Sequence, residues 1–521
     1  MKLTIALATT LAAFALPAIA QVDVLTYHND NARTGQNLQE VTLTPANVNP
    51  ATFGKLFSQP VDGFVHAQPL YVSNLTIQNK GVHNVLFVAT EHNSVYALDA
   101  DSTAGQNATP LWQVSFINPA RGITTIPYQD VGTEDIWPEI GITGTPVIDR
   151  VAGTLFVVAK TKENGRYAQR LHALDITSGR ERPGSPVAIR ATIRGRNQPT
   201  ITFDPLLENQ RAGLLLSNGV VYVAFGAHGN HNAYHGFILG YNARTLRLLR
   251  SFTTTPTGVK GGVWQGGCAL SADEDGNIYA NVGNGTFNAN TGGQDYADSI
   301  IKLSPSGTKF QVVDYFTPYN QAYMEAADRD FGTCGAMLVS GLSGTPSNLI
   351  IAGSKTPDLF VLDRDNLGKF RETDNNQIVQ YLPNSITNVW GSFAYFNNHA
   401  YVCPAGAYPR AYGVSSDGLT TDPVATASTY LFWPGAIPSI SANGNQDGIV
   451  WAVSKRSSMV NPGPPAALYA YRADNMDLLY HSNMNGEADL PGDRVKFAVP
   501  TIANGKVYMG TWNSVVAYGL K

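Results

Sequence analysis

A chain of 521 residues with 35 lysines and arginines against 39 aspartates and glutamates carries a formal charge of −4, which gives no electrostatic case for nucleic acid or an anionic membrane. Charged residues are only 14%, while glycine numbers 50 and tyrosine and phenylalanine 24 and 21. That is the composition of many short strands joined by glycine turns, and a repeat fold of this length needs no division because every repeat adds its own slice of core.

The first twenty residues set a basic start at Lys2 before an apolar run that ends in Ala18-Ile19-Ala20. This is the pattern of a secretory signal peptide, so residues 1–20 are expected to be removed and residues 21–521 to fold outside the cell. No later stretch is long and apolar enough for a spanning helix. Asn74, Asn107 and Asn284 begin N-x-S/T triplets and are candidate N-glycan sites.

From there a strand pair recurs along the chain. Val85-Leu-Phe-Val-Ala-Thr90 is followed by Ser94-Val-Tyr-Ala-Leu-Asp99, and the last copy is Lys506-Val-Tyr-Met-Gly-Thr511 with Ser514-Val-Val-Ala-Tyr518. Most pairs follow a short run of small residues, such as Ala67-Gln-Pro-Leu, Gly144-Thr-Pro-Val and Ala498-Val-Pro-Thr. Small residues suit strands that converge on a crowded axis. Eight such triplets predict an all-β fold, a single closed β-propeller of eight four-stranded blades, with seven as the rival count. The last triplet has no outer strand after it, and Gly54-Lys-Leu-Phe-Ser-Gln59 has the pattern to supply one and so remove the exposed edges.

Several segments together resemble the pyrroloquinoline-quinone-repeat, or quinoprotein alcohol dehydrogenase-like, propellers, nearest a group of secreted microbial ones. They are Tyr27-His-Asn-Asp-Asn-Ala-Arg-Thr-Gly35, Pro138-Glu-Ile-Gly-Ile-Thr-Gly-Thr-Pro-Val147, Ala272-Asp-Glu-Asp-Gly-Asn-Ile-Tyr279, Gly283-Asn-Gly-Thr-Phe287, Leu362-Asp-Arg-Asp-Asn-Leu-Gly368 and Lys496-Phe-Ala-Val-Pro-Thr501. The resemblance implies the propeller fold and an oxidoreductase acting on an alcohol, sugar or secondary metabolite. It also implies pyrroloquinoline quinone (PQQ) and calcium over the channel, commonly against two adjacent cysteines. The chain's three cysteines, Cys268, Cys334 and Cys403, are not adjacent. Cys268 and Cys334 fall on neighbouring inner strands, where a disulfide, two separate buried thiols or a redox or metal site are all open.

Function on a propeller belongs to the loops at one channel mouth. Loop 118–142 holds Arg121, Asp130, Glu134, Asp135, Trp137 and Glu139; Asp135 and Glu139 are candidate general bases, or oxygen ligands for a hard cation. His228, His231 and His235 cluster between two middle strands, with His228 and His235 as candidate proton carriers; the spacing fits no standard zinc motif. Trp264, Trp390 and Trp512, with Gln265, Asp330, Lys355 and Arg494 in comparable places, are candidate cofactor-binding residues, since aromatic faces beside a few polar groups suit a flat or sugar-like ligand. Trp264 would be the platform under a planar cofactor. No phosphate-binding loop, G-x-S-x-G elbow or H-E-x-x-H motif occurs. A cofactor-free small-molecule or glycan-binding propeller, and a cofactor-independent cyclase or isomerase, are the alternative readings.

Overall fold

Each repeat closes into an antiparallel sheet because its middle strands are apolar on both faces, as in Ser94–Asp99, where all six residues are buried. The computed structural model describes residues 22–194, 200–230, 234–307, 309–455 and 465–521, and arranges their strands as eight blades about one axis. Read from the axis outward, blade 1 is Leu70–Ile77, Gly81–Ala89, Ser94–Asp99 and Trp112–Ser115. Blade 2 is Val147–Asp149, Thr154–Glu163, Arg166–Asp175 and Val187–Ala188; blade 3 is Leu215–Ser217, Val220–Ala227, Phe237–Asn242 and Leu248–Thr253. Blade 4 is Ser271–Ala272, Ile278–Asn281, Ile300–Ser304 and Gln311–Thr317; blade 5 is Met337–Val339, Leu349–Gly353, Leu359–Asp363 and Gln380–Leu382. Blade 6 is Ala394–Phe396, His399–Val402, Arg410–Ser415 and Ala425–Thr426, and blade 7 is Ser439–Asn443, Gln446–Lys455, Ala466–Arg472 and Leu478–His481.

Blade 8 joins the two ends of the chain. Its inner strands are Thr501–Ala503, Lys506–Gly510 and Ser514–Leu520, and its outer strand is Phe53–Pro60, paired antiparallel from Phe53 opposite Leu520 to Pro60 opposite Ser514. A bulge lies between Lys55, opposite Tyr518, and Phe57, opposite Ala517. Buried Phe53 then packs on Tyr480 and Trp451 of blade 7, with ring centroids 5.0 and 5.5 Å apart. The eight-blade expectation and the terminal closure both hold.

The inner strands are small because they pack against one another. A Cβ on Gly144 would stand 2.8 Å from the Ala212 carbonyl oxygen, and one on Gly335 only 2.7 Å from Cys268 Cβ. All three cysteines are buried and free, so Cys268 and Cys334 are separate thiols; Cys268 Sγ lies 3.0 Å from the Tyr27 hydroxyl.

The segment Tyr27–Gly35, conspicuous in the sequence, winds inside the ring and touches every blade with its neighbours. Val24 exchanges backbone hydrogen bonds with Tyr71 of blade 1, and the Leu25 carbonyl accepts from Ile148 N–H of blade 2. Asn31 Nδ2 donates to Leu216 O of blade 3, while the carbonyls of Asn31, Ala32 and Thr34 accept from Ala272, Leu338 and Tyr395 of blades 4, 5 and 6. Gln36–Asn37 adds a parallel strand to blade 7, and Asn37 Nδ2 donates to Ile502 O of blade 8. Arg33 is the hub of this inner ring: its guanidinium donates to the carbonyls of Tyr27, Asp30 and Leu270 and to the Thr26 hydroxyl, at 2.7–2.9 Å. The backbone of a segment with no sheet of its own is thereby satisfied.

The signal-like residues 1–20 lie outside the described residues. Among the described ones no helix is long and apolar enough to cross a membrane. Asn74 is exposed and Asn107 half-buried, whereas Asn284 is 3% exposed with its Nδ2 donating to Asp328.

Candidate active site at the channel mouth

The connection that enters each inner strand delivers one or two side chains to a common opening, so eight blades build one cavity of about 350 Å3. His66 comes from the entry to blade 1, Asp135 and Ile136 from blade 2, Asn209 and Arg211 from blade 3, Trp264 from blade 4, and Asp328 and Asp330 from blade 5. Trp390, Trp433, and Lys496 with Phe497 arrive at the entries to blades 6, 7 and 8. The turns between middle strands of blades 3, 4 and 5 add His228, Asn284 and Lys355. The volume lies in the range of small-molecule and cofactor pockets.

The polar centre is a carboxylate–ammonium group. Lys355 Nζ lies 2.7 Å from Asp330 Oδ2 and 3.1 Å from Asp328 Oδ1, and 5.4 Å from the centroid of the Trp390 ring. Asp328 Oδ1 also accepts from Nδ2 of Asn230 and of Asn284, each at 2.6 Å. The Trp264 indole helps to hold the Asp330 carboxyl down, yet Asp330 Oδ1 has no hydrogen bond of full geometry, and Asn284 Oδ1 has no partner among the described residues. Burial raises the Asp330 pKa despite Lys355. Burial works against the Lys355 ammonium, but Asp330 and Asp328 outweigh it and its pKa is raised.

Aromatic faces make the apolar wall. Trp390 meets Trp264 and Trp433 edge-on, at 6.0 and 5.5 Å between centroids, and lies parallel to Phe497 within 14° at 6.3 Å. Such rings offer a flat ligand a large, stiff surface.

Behind the wall lies a second buried polar layer. Lys160 Nζ is 2.6 Å from His228 Nε2 and donates to the carbonyls of Leu206 and Glu208. Burial brings Lys160 down to about 7, and burial with Lys160 beside it holds His228 well below the usual histidine range. Glu91, fully buried, accepts from Gly141 N–H and the Thr143 hydroxyl, and burial pushes its carboxyl up to about 7. A carboxyl raised in this way keeps its proton in the folded chain between pH 4.5 and 7 while the unfolded chain releases it, so folded stability falls as pH rises through that window. Glu91→Gln should therefore gain on the parent chain by about 3 kcal/mol between pH 4.5 and 7.5, at about 1.4 kcal/mol per pKa unit, in denaturant titrations at each pH.

Of the residues singled out in the sequence, Asp135, His228, Trp264, Asp330, Lys355 and Trp390 line the cavity. Six others stand elsewhere. Glu139 is bound by His92 Nδ1 and the Thr125 hydroxyl at the rim, and Asp130 of the same loop by Lys162 and Tyr167. His235 is turned to the Thr255 carbonyl and hydroxyl. Gln265 lies below, donating to the Cys268 and Ala269 carbonyls. Trp512 stacks on Phe64 at 4.7 Å and gives its indole N–H to the Arg494 carbonyl, which keeps both beside the opening. His231 lies outside the described residues. His66, Arg211, Trp433 and Phe497 also line the cavity and were not singled out in the sequence, though each stands four to six residues before an inner strand, and that position was their signal.

No family model matches the sequence, nor does any curated protein. Solved structures are similar in fold: quinohemoprotein alcohol dehydrogenase from Comamonas testosteroni, 15% identical over 96% of this chain and 80% of that one, has a TM-score of 0.58. A europium-containing methanol dehydrogenase, 12% identical over 96% and 98%, has 0.62, and BamB from Moraxella catarrhalis, 13% identical over 90% and 99%, has 0.50. The chain is an eight-bladed β-propeller with the fold of the quinoprotein alcohol and methanol dehydrogenases.

Proposed function

We propose that this is an exported oxidoreductase that removes hydrogen from an alcohol, sugar or secondary metabolite at the channel mouth, with a planar quinone as its electron acceptor. One observation carries the reading: a buried Asp330–Lys355 pair set against the Trp390 face, with Asp330 Oδ1 left without a good hydrogen bond. An unsatisfied buried carboxylate oxygen is costly in a core and useful as a proton acceptor.

The residues suit a flat, anionic quinone such as PQQ. Trp264, Trp390 and Trp433 would face its ring, and Lys355 would meet its oxygens. Calcium is another matter: among the described residues no group of three or more His, Cys, Asp or Glu could hold a metal, and the reading uses none. A bound quinone would supply the two-electron acceptor that alcohol oxidation needs. Asp330 Oδ1 takes the hydroxyl proton of the substrate. Lys355 fixes the other carboxylate oxygen and balances the charge, and the tryptophan wall keeps water from the reacting carbon.

A base whose pKa is raised by burial works only above that pKa, so kcat/KM should climb with pH on the acid side. Lys355 lowers the Asp330 pKa, so Lys355→Met should move that limb to higher pH; an unmoved limb would remove Asp330 as the titrating base. The direct test adds PQQ, with and without calcium, to the purified full chain. Quenched tryptophan fluorescence and substrate-dependent dye reduction are expected. No quenching, no thermal shift and no dye reduction across an alcohol and sugar panel would refute the reading.

A further inference from the structure

Beyond the Asp330–Lys355 centre, the cavity holds two further cations, Arg211 and Lys496, and Arg211 has no carboxylate within ion-pair distance among the described residues, only the buried Glu91 acting on it from farther off. Arg211 is 6% exposed, yet Nη2 has no hydrogen-bond partner and, among the described residues, no acid lies within ion-pair distance of it. Its recorded partner is a ring: Cζ stands 5.4 Å from the centroid of Phe497. Lys496, from the same connection as Phe497, reaches only Asp135 Oδ1 at 3.9 Å, and that carboxylate is 66% exposed. His66 completes the group and cannot balance it, since burial and the nearby cations keep the imidazole neutral. Burial and the cations Arg494 and Arg211 also depress Lys496, with only Asp135 acting the other way. Arg211 pairs with Phe497 and Lys355 with Trp390, two rings parallel within 14°, and Lys355 already has two carboxylates of its own.

A buried cation without a close counter-charge, as Arg211 is, is expensive, and a ligand that supplies the anion removes that cost; Lys496, with 32% of its side chain exposed, stands beside it at the opening. We infer that Arg211 and Lys496 form a carboxylate-binding subsite, so that the molecule held against Trp390 is an acid. The guanidinium fork matches a carboxylate in two hydrogen bonds, and Lys496 adds a point charge. The inference rests on the oxidoreductase reading only in taking the mouth as the ligand cavity; the acid group could belong to the quinone or to the substrate.

The test uses the quinone-free full chain and isothermal titration with PQQ, its trimethyl ester and benzene-1,3,5-tricarboxylate. The acids should bind at least about tenfold more tightly than the ester, and Arg211→Met should remove that preference while leaving the empty protein as stable as the parent chain or more so. Arg211→Lys should restore part of it. If Arg211→Met fails to fold, Lys496→Met and the acid–ester comparison on the parent chain carry the test. Equal binding of acid and ester, or unchanged acid binding in Arg211→Met, would overturn the subsite. Acid binding that Arg211→Met abolishes, without dye reduction by the quinone-loaded parent, would keep the subsite and sink the oxidoreductase. Dye reduction that is indifferent to Arg211 and to carboxyl groups would do the reverse. PQQ binding lost in Arg211→Met assigns the anion to the quinone; PQQ binding kept, with acidic substrates losing their KM advantage over their esters, assigns it to the substrate.

Discussion

Asp330→Asn should lower kcat about a thousandfold with the protein still folded, because the amide fills the same space and cannot take a proton at neutral pH. The expected range is about 100- to 10,000-fold, that of a lost general base. Three features make Asp330 the residue to bear this loss. It is buried, it lines the cavity with one oxygen that has no hydrogen bond of full geometry, and its other oxygen is held 2.7 Å from Lys355. Glu139→Gln is the contrast: Glu139 sits at the rim in the grip of His92 and Thr125, outside the lining, so its loss should change kcat by a few-fold at most. Steady-state dye reduction on quinone-loaded protein measures both. Comparable losses in the two variants would move the base from blade 5 to the loop before blade 2.

Arg33→Ala should cost the most stability of any single exchange outside the blades. Its guanidinium serves three carbonyls and one hydroxyl inside the ring, and their loss strands buried acceptors from two separate parts of the chain. Hydrogen bonds to a charged group are worth about 1.5–3 kcal/mol each, so a loss of about 4 kcal/mol or more is expected. Unfolding entropy of about 2.1 cal/mol/K per residue makes each kcal/mol about 1 °C for a chain of this length, so calorimetry should show a fall of about 4 °C or more. Arg33→Lys should recover little, because one ammonium cannot span Tyr27, Asp30 and Leu270 together.

What could be read from the amino acids follows from where each piece of information resides. Blade strands are visible because burial on both faces demands consecutive apolar residues, as in 85–90 and 94–99, and the missing outer strand of blade 8 was visible as an unused strand pattern near the other end. The inner ring was conspicuous only as the string Tyr27–Gly35. Its partners are backbone carbonyls such as Leu270, 237 residues away, and a carbonyl leaves no mark in a sequence. Trp264, Asp330, Lys355 and Trp390 were legible because their chemistry is unusual at a strand entry or turn. Arg211, by contrast, reads as an ordinary surface arginine until the backbone turns it inward over Phe497. Trp512 and Glu139 came from suitable loops but are captured by Phe64 and His92, neighbours that folding supplies.

The account turns on the channel mouth being where the ligand lies. A crystal structure of the protein soaked with PQQ addresses this directly. The account predicts a planar density lying on the Trp390 face, with an oxygen within hydrogen-bond distance of Lys355 and open space at Asp330 Oδ1. A quinone bound elsewhere on the molecule, or a mouth filled only with water while the same preparation reduces dye, would contradict it.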